Sequence, residues 1–425
     1  MKNEHEIRDP LYAFIKMTSA ERNIIDSIPF QRLRNIHQLA LTNLIYPGAT
    51  HKRFGHSLGT MELAARVFDT VTKECNIHPA VRELGIIPQD KYLFERSRLQ
   101  LRMAALCHDL GHLPFSHAAE KELLPAGHTH ETMTKAIIES DFMKPLWDVM
   151  KIDAVDISKI AVGPKKSGEN FSTWEAILSE IITGDAFGMD RVDYLLRDSY
   201  YAGVMYGKVD YFRLIDTMRI LPKQYEQSLE AALGIEDGGI HLVENLLLSR
   251  YFMYTQVYFH PIRKIYDLHL QDFMISLYPR QTFPSDVKSF LSLTDNEIFV
   301  KLRETLDDKK NPSHVLSKRI LCRQHFKCIY AGKYKDKEKL ENLFAELKKS
   351  FGKDKIKKYS EYDKDDPYQF PVLQKNYRVV TSDKVSAMIE SKAIPKVSVF
   401  YIYAEREICE KARKQVREFL KKEKI

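Results

Sequence analysis

"ALCHDLGHLPFSH", residues 105–117, sets three imidazoles and one carboxylate around a Gly-His-Leu-Pro turn. Histidine is a modest helix former, and each buried imidazole needs a hydrogen-bonding or metal partner. The stretch leading into it, "RSRLQLRMAALCHDLG", spaces its apolar residues at helical intervals. Adjacent residues on a helix point about 100° apart, so His108 and Asp109 are placed to hold two sides of one ion. A mixed imidazole and carboxylate set suits borderline divalent metals such as Mn, Fe, Zn or Ni. An isolated His-Asp pair is more simply a hydrogen-bonded cap, and two ligands are too few for a useful site. His56 in "HKRFGHSLGT" and Asp190 in "GDAFGMDRVDYLLRD" are the further candidates. A set of four from these leaves positions open for water and substrate.

Outward from this stretch, residues 1 to about 275 read as mostly helical. "SAERNIIDSIPFQRLRNIHQL" begins with a Ser cap, and Glu21 then opens the helix. "SLGTMELAARVFDTVTKEC" has helical spacing, and "TWEAILSEIITGDAFGMDRVDYLLRDSYYAG" reads as two helices around a Gly-containing joint. In "AALGIEDGGIHLVE" two short apolar runs flank Asp-Gly-Gly, which predicts a β-hairpin. A long aromatic helix, "NLLLSRYFMYTQVYFHPIRKIYDLHLQDFMISLY", is expected next. From residue 326 the pattern changes to strand ("HFKCIYAG"), amphipathic helix ("KDKEKLENLFAELKKSFG"), strand ("KVSVFYIYAE") and basic helix, with "EYDKDDPYQFP" as a polar interruption. The expected protein is mainly α. A helical core over 1–275 carries a small hairpin, a helical extension covers 276–325, and a basic α+β module covers 326–425.

The totals narrow the function. With 425 residues and 44% hydrophobic content the chain supports a large core. No apolar run is long enough to span a bilayer, and the charged N-terminus lacks the apolar core of a signal peptide. Five scattered cysteines fit reduced thiols in the cytoplasm better than a disulfide framework. The net charge of +7 is uneven: residues 326–425 hold 25 Lys+Arg against 16 Asp+Glu, and the rest is slightly acidic. Outside the C-terminal region, anions must be bound by particular residues and not by a bulk field. Nucleic-acid binding is not indicated.

Long stretches of the chain match a family. "DPLYAFI", "IDSIPFQRLRNIHQL", "YPGATHKRFGHSLG", "CHDLGHLPFSHAAE", "HTHE" and "DRVDYLLRDSYYAG" resemble the HD superfamily of metal-dependent phosphohydrolases. Within it they are most similar to the deoxynucleoside triphosphate triphosphohydrolases, without the SAM domain that some members add. The likeness covers roughly residues 9–275, and only weakly the C-terminal module.

The resemblance implies hydrolysis of a dNTP at the α-phosphorus to deoxynucleoside and triphosphate. It makes His56, His108, Asp109 and Asp190 the ligands of a divalent ion (Mn, Mg, Fe, Ni or Zn). The 5′-alkoxide is a poor leaving group, so an acid should protonate it, and histidine has a suitable pKa. His112, His117 and His130 compete for that role. The family pattern puts His117 and Glu120 beside the scissile phosphate and matches His112 and His130 to phosphate contacts. The acid is therefore assigned first to His117 with Glu120, and second to His130. Arg53, Arg191 and Arg250 are the cations for the triphosphate, and Tyr194 fits a further phosphate contact. For the sugar, Tyr258 is expected under the deoxyribose and on the same helix face as Arg250. Leu39 closes the other side, and Gln38 and Asp198 hydrogen-bond the 3′-hydroxyl. Asp26, Gln31 and Arg34 match positions where relatives bind an activating nucleotide between subunits, and a homo-oligomer (dimer or tetramer) is expected. They also read as residues that cap a helix and pair with neighbours.

Two other readings compete. A different HD phosphohydrolase, acting on nucleoside monophosphates, cyclic nucleotides or alarmones, would leave Arg250 and Tyr258 without an obvious task. A non-catalytic nucleotide sensor would keep its binding after loss of His108 and Asp109.

Overall fold

The structure is a computed structural model and describes residues 4–116, 120–225, 228–278, 283–333, 337–362 and 369–423. The helix Arg53–Val71 runs through the middle of the molecule and is buried nearly all round, with His56, Leu58, Gly59, Met61, Phe68 and Val71 all inside. Such a helix needs apolar or small residues on every face, and "FGHSLGTMELAARVF" supplies them. The helices Lys91–Cys107, Thr173–Thr183 and Met189–Ala202 pack around it. Asp90 caps the first of these by accepting from Leu93 N at 3.0 Å, and a Ser172–Glu175 capping box starts the second.

The molecule is mainly α, with three small sheets among the described residues. The first is an N-terminal antiparallel hairpin, Glu4–Asp9 with Ala13–Thr18, which the helical reading of residues 1–275 did not include. Ile15 and Met17 alternate inward on its second strand. The following helix is Ser19–Ile25, and its cap is Thr18, not Ser19. Thr18 and Glu21 form the reciprocal box.

The second sheet corrects the predicted hairpin. Its first two strands are Met218–Tyr225 and Ser228–Glu236, in antiparallel register from Met218↔Ile235 to Tyr225↔Ser228. Asp237–Gly239 is a 3-10 turn into the helix Ile240–Met253 and not a hairpin loop. Ile240, Val243, Leu246 and Leu247 recur at helical spacing, so the second apolar run buries itself as a helix. Gly239 is required there, because a Cβ would lie 2.4 Å from Thr217 Oγ1.

The expected long aromatic helix is interrupted. It becomes Ile240–Met253, a π-turn over Tyr254–Tyr258, and a new helix Pro261–Leu277. Pro261 cannot continue a ladder but suits a first turn, and His260 caps it by accepting from Ile262 N. Arg250 and Tyr258 therefore do not share one regular helix face.

The helices Val287–Leu291, Asp295–Asp307 and His314–Leu321 lie between residues 276 and 325. Beyond residue 326, the strands Lys327–Gly332, Ile356–Tyr362 and Ser398–Ala404 form the third sheet, with Ser398–Ala404 central. One side of it packs on the helices Lys337–Phe351 and Cys409–Glu423, and the other on Pro261–Leu277 through Ile265, Tyr401 and Tyr403. Residues 371–381 return to the core. Strand Pro371–Leu373 runs parallel to Ser228–Glu236 (Ile235↔Val372) and pairs with Val379–Thr381. Much of "EYDKDDPYQFP" lies outside the described residues. No helix of the described residues is long and apolar enough to cross a membrane.

Candidate active site

His108 and Asp109 do not sit within a helix. Lys91–Cys107 ends one residue earlier, and His108 is its C-cap. There His108 Nδ1 donates to the Ala105 carbonyl at 2.8 Å, satisfying one of the orphan acceptors of the helix end. Because a carbonyl only accepts, the proton is on Nδ1, and Nε2 presents its lone pair. His56 is fixed in the same sense: its Nδ1 faces Asp193 Oδ2 at 2.7 Å. The two free Nε2 atoms then meet at 3.2 Å, with Asp190 Oδ1 3.0 Å from His56 and 3.5 Å from His108. Asp109 completes the ring, its Oδ1 3.4 Å from His108 Nε2 and its Oδ2 3.6 Å from His56 Nε2.

Two lone pairs and two carboxylates converging this closely require a positive charge between them. Burial alone would keep His56 neutral, yet Asp190, Asp193 and Asp109 outweigh it and raise His56 to about 10. Burial acts against ionised Asp190 too, but His108 and His56 hold that carboxyl far below its usual range. A divalent cation meets the same demand with neutral imidazoles, and two nitrogen and two oxygen donors suit a borderline metal. The Asp190 side chain is 37% exposed while those of His56, His108 and Asp109 are at most 7%, so the ring opens on the Asp190 side.

The support beneath this ring was missed in the sequence. Asp193 also accepts from Tyr12 Oη at 2.7 Å and from Arg197 Nε and Nη2, both at 2.9 Å. Arg197 Nη1 reaches Asp9 Oδ2 at 2.9 Å, at the end of the first strand of the N-terminal hairpin. This ion-pair network is buried throughout and lies against Gly59, where a Cβ would fall 1.9 Å from Asp193 Oδ1. The signal available was Asp190, Asp193 and Arg197 at helical spacing, opposite a glycine three residues after His56.

On the other side of the ring Arg53 pairs with Asp109 Oδ2, and its Nε and Nη2 donate to Ser116 Oγ at 3.0 and 2.8 Å. His112 is in an irregular segment, not one helical turn beyond His108. Its Nε2 lies 3.2 Å from Asp109 Oδ1, and its ring stacks on His130 at 4.3 Å. Burial and the nearby Arg53 charge hold His112 neutral. Glu120 Oε1 accepts from both the backbone N and Nδ1 of His130, at 2.8 and 2.7 Å. The structure thus brings Glu120 to His130; His117 lies outside the described residues. Gly111 lets the start of the helix His130–Ile138 approach, since a Cβ there would meet the His130 carbonyl at 2.1 Å.

A second unforeseen residue holds this turn. Phe115 and Ser116 both have left-handed backbones, with φ of 56° and 60°, a conformation that costs on the order of 1–3 kcal/mol at each non-glycine residue. Asp295, fully buried at the start of Asp295–Asp307, accepts from Phe115 N through Oδ1 and from His37 N through Oδ2, both at 2.7 Å. Its sequence mark was the Thr294–Glu297 capping box.

Further along the helix Met189–Ala202, Asp198 is 2% exposed and each oxygen has a donor: His51 Nε2 at 2.7 Å and Tyr258 Oη at 2.6 Å. Asp198 is therefore not an i,i+4 partner along its helix. The Tyr258 ring stands edge-on to Tyr194 and Tyr254, with centroids at 6.2 and 5.1 Å. Burial and Tyr254 push the Tyr194 phenol up, while the charges of Arg191 and Arg250 pull it down. Arg250 lies over the Tyr254 ring at 4.7 Å. Leu39 is buried, and Gln38 Oε1 is buried without a hydrogen bond from a described residue.

Asp26, Gln31 and Arg34 make local contacts. Asp26 pairs with Arg22 at 2.7 Å, Gln31 bridges the Ile25 carbonyl and Arg34, and Arg34 lies 3.5 Å over Phe54.

The HD domain family profile matches residues 53–160, and that of the HD associated region matches 209–361. An uncharacterised protein of Methanocaldococcus jannaschii is 30% identical over 383 residues, which is 89% of this chain and 72% of that one. The deoxynucleoside triphosphate triphosphohydrolase SAMHD1 of Homo sapiens is 29% identical over 359 residues, 76% of this chain. The match spans only 54% of the human protein. Among solved structures, a hypothetical protein from Aquifex aeolicus superposes with a TM-score of 0.79 at 32% identity, covering 97% of this chain and all of that one.

Proposed function

The chain belongs to the HD-domain superfamily of phosphohydrolases, and from that premise we propose that it hydrolyses deoxynucleoside triphosphates to deoxynucleoside and triphosphate. The observation that carries this is the convergence of His56 Nε2, His108 Nε2 and Asp190 Oδ1 within 3.5 Å. The same helix, Met189–Ala202, also carries Tyr194 and Asp198 to the Tyr258 ring. His56, His108, Asp109 and Asp190 would hold a divalent ion, which supplies Lewis acidity towards water and a phosphoryl oxygen when bound.

The remaining residues handle charge, proton and sugar. Arg191 and Arg250 take the triphosphate oxygens beside Tyr194. Arg53 fixes Asp109 and shares its guanidinium with the phosphate side. The proton for the departing 5′-oxygen comes from His117 with Glu120, or in second place from His130. Among the described residues Glu120 Oε1 accepts from His130 Nδ1. Leu39 and Tyr258 close on C2′ and disfavour ribose. The activator role of Asp26, Gln31 and Arg34 has less support, because all three already have local partners. Incubation with each dNTP and Mn²⁺ or Mg²⁺, followed by product separation, tests the reading. Triphosphate supports it, and orthophosphate from monophosphate substrates supports the competing phosphohydrolase.

A further inference from the structure

His51 has no task in the reaction as described, yet it is among the most firmly placed side chains in the site. Its ring is buried, stacks on Tyr201 at 4.6 Å with 15° between planes, and directs Nε2 at Asp198 Oδ1 at 2.7 Å. The loop that carries it is pressed onto the helix Met189–Ala202: a Cβ on Gly48 would lie 2.4 Å from the Tyr201 carbonyl. Asp198 only accepts when ionised, so His51 Nε2 is the donor. The other oxygen of Asp198 accepts from Tyr258 Oη at 2.6 Å. Tyr258 ends the π-turn, and Arg263 Nη1 donates to its carbonyl. The ring is thus held at both ends, by Arg263 at the backbone and by Asp198 at the hydroxyl.

We infer that His51 is a positioning residue for sugar selection, acting through Asp198 on the Tyr258 ring. This rests on the dNTP reading and extends it to a residue outside the expected pocket. A carboxylate with donors on both oxygens has a fixed plane. Removing the His51 donor lets Asp198 turn and releases the Tyr258 hydroxyl, so the ring no longer resists a 2′-hydroxyl. Neither His51 nor its loop needs to touch the substrate.

The test is a mutant cycle on the ratio of kcat/KM for dATP over ATP, with Mn²⁺ and the full chain. The wild type should prefer dATP by at least about tenfold. His51→Leu should reduce that preference by about fivefold or more, and Tyr258→Phe should do the same. The double variant should match Tyr258→Phe alone within about twofold, because both act on one chain of contacts. His51→Gln, which keeps a donor near the same place, should retain most of the preference. If His51→Leu melts early, His51→Asn repeats the measurement with a side chain too short to reach Asp198. A preference unchanged in the folded His51 variants, or effects that multiply in the double variant, overturns the inference alone. A wild type that uses dATP and ATP equally overturns the sugar reading first, and the inference with it.

Discussion

Asp193 Oδ2 accepts from His56 Nδ1 at 2.7 Å, and this one contact decides which nitrogen of His56 faces the candidate metal position. Asp193 never enters the ring itself, but without it the imidazole is free to turn or to take the other tautomer. Such outer carboxylates typically govern metal affinity by about 10–100-fold. Asp193→Ala should weaken Mn²⁺ binding by about that factor in isothermal titration. It should also lower stability by about 3–5 kcal/mol, because the buried Arg197 charge loses two of its hydrogen bonds and keeps only Asp9. Unchanged Mn²⁺ affinity would mean that His56 is oriented by something else.

Gly59 tests the same support sterically. Its missing Cβ is the space that Asp193 Oδ1 and Arg197 Nη2 occupy, at 1.9 and 2.4 Å from the ideal position. Gly59→Ala should cost about 1–3 kcal/mol through overpacking, despite the better helix propensity of alanine. A denaturant melt that shows stabilisation would contradict this packing.

Replacing His108 or Asp109 by Ala should abolish hydrolysis and bound metal while leaving the far-ultraviolet dichroism near that of the wild type. Elemental analysis of the purified variants is the direct check. Full activity in either variant after chelation would remove the proposed mechanism.

The acid assignment is separable from metal binding. His130→Ala should lower turnover by about 10²–10⁴-fold, the usual range for general acid catalysis, with metal content unchanged. Glu120→Gln should follow it more weakly. A mild His130→Ala beside a severe His117→Ala would assign the acid role to His117.

How much of this was legible in the sequence depends on the range of each interaction. The helices around Arg53–Val71 and the mainly α class follow from periodicity, and the grouping of His56, His108 and Asp190 is what the family resemblance implied. Asp193 and Asp295 do not, because their partners lie 137 and 180 residues away: His56 for the first, Phe115 N for the second. The misplaced hairpin at Asp237–Gly239 has a related cause. Glycine pairs mark turns of several kinds, and only pairing of Met218–Tyr225 with Ser228–Glu236 shows which turn this is. The long aromatic helix failed at Pro261, a signal present in the sequence that the apolar run around it masked.

The central claim is attack of water at the α-phosphorus. Hydrolysis of a dNTP in ¹⁸O-water, with mass analysis of both products, tests it most directly. The label should appear in the triphosphate, with none in the 5′-hydroxyl of the deoxynucleoside, because the bond broken is between phosphorus and the 5′-oxygen. Label in the deoxynucleoside, or in orthophosphate released without triphosphate, would contradict the account.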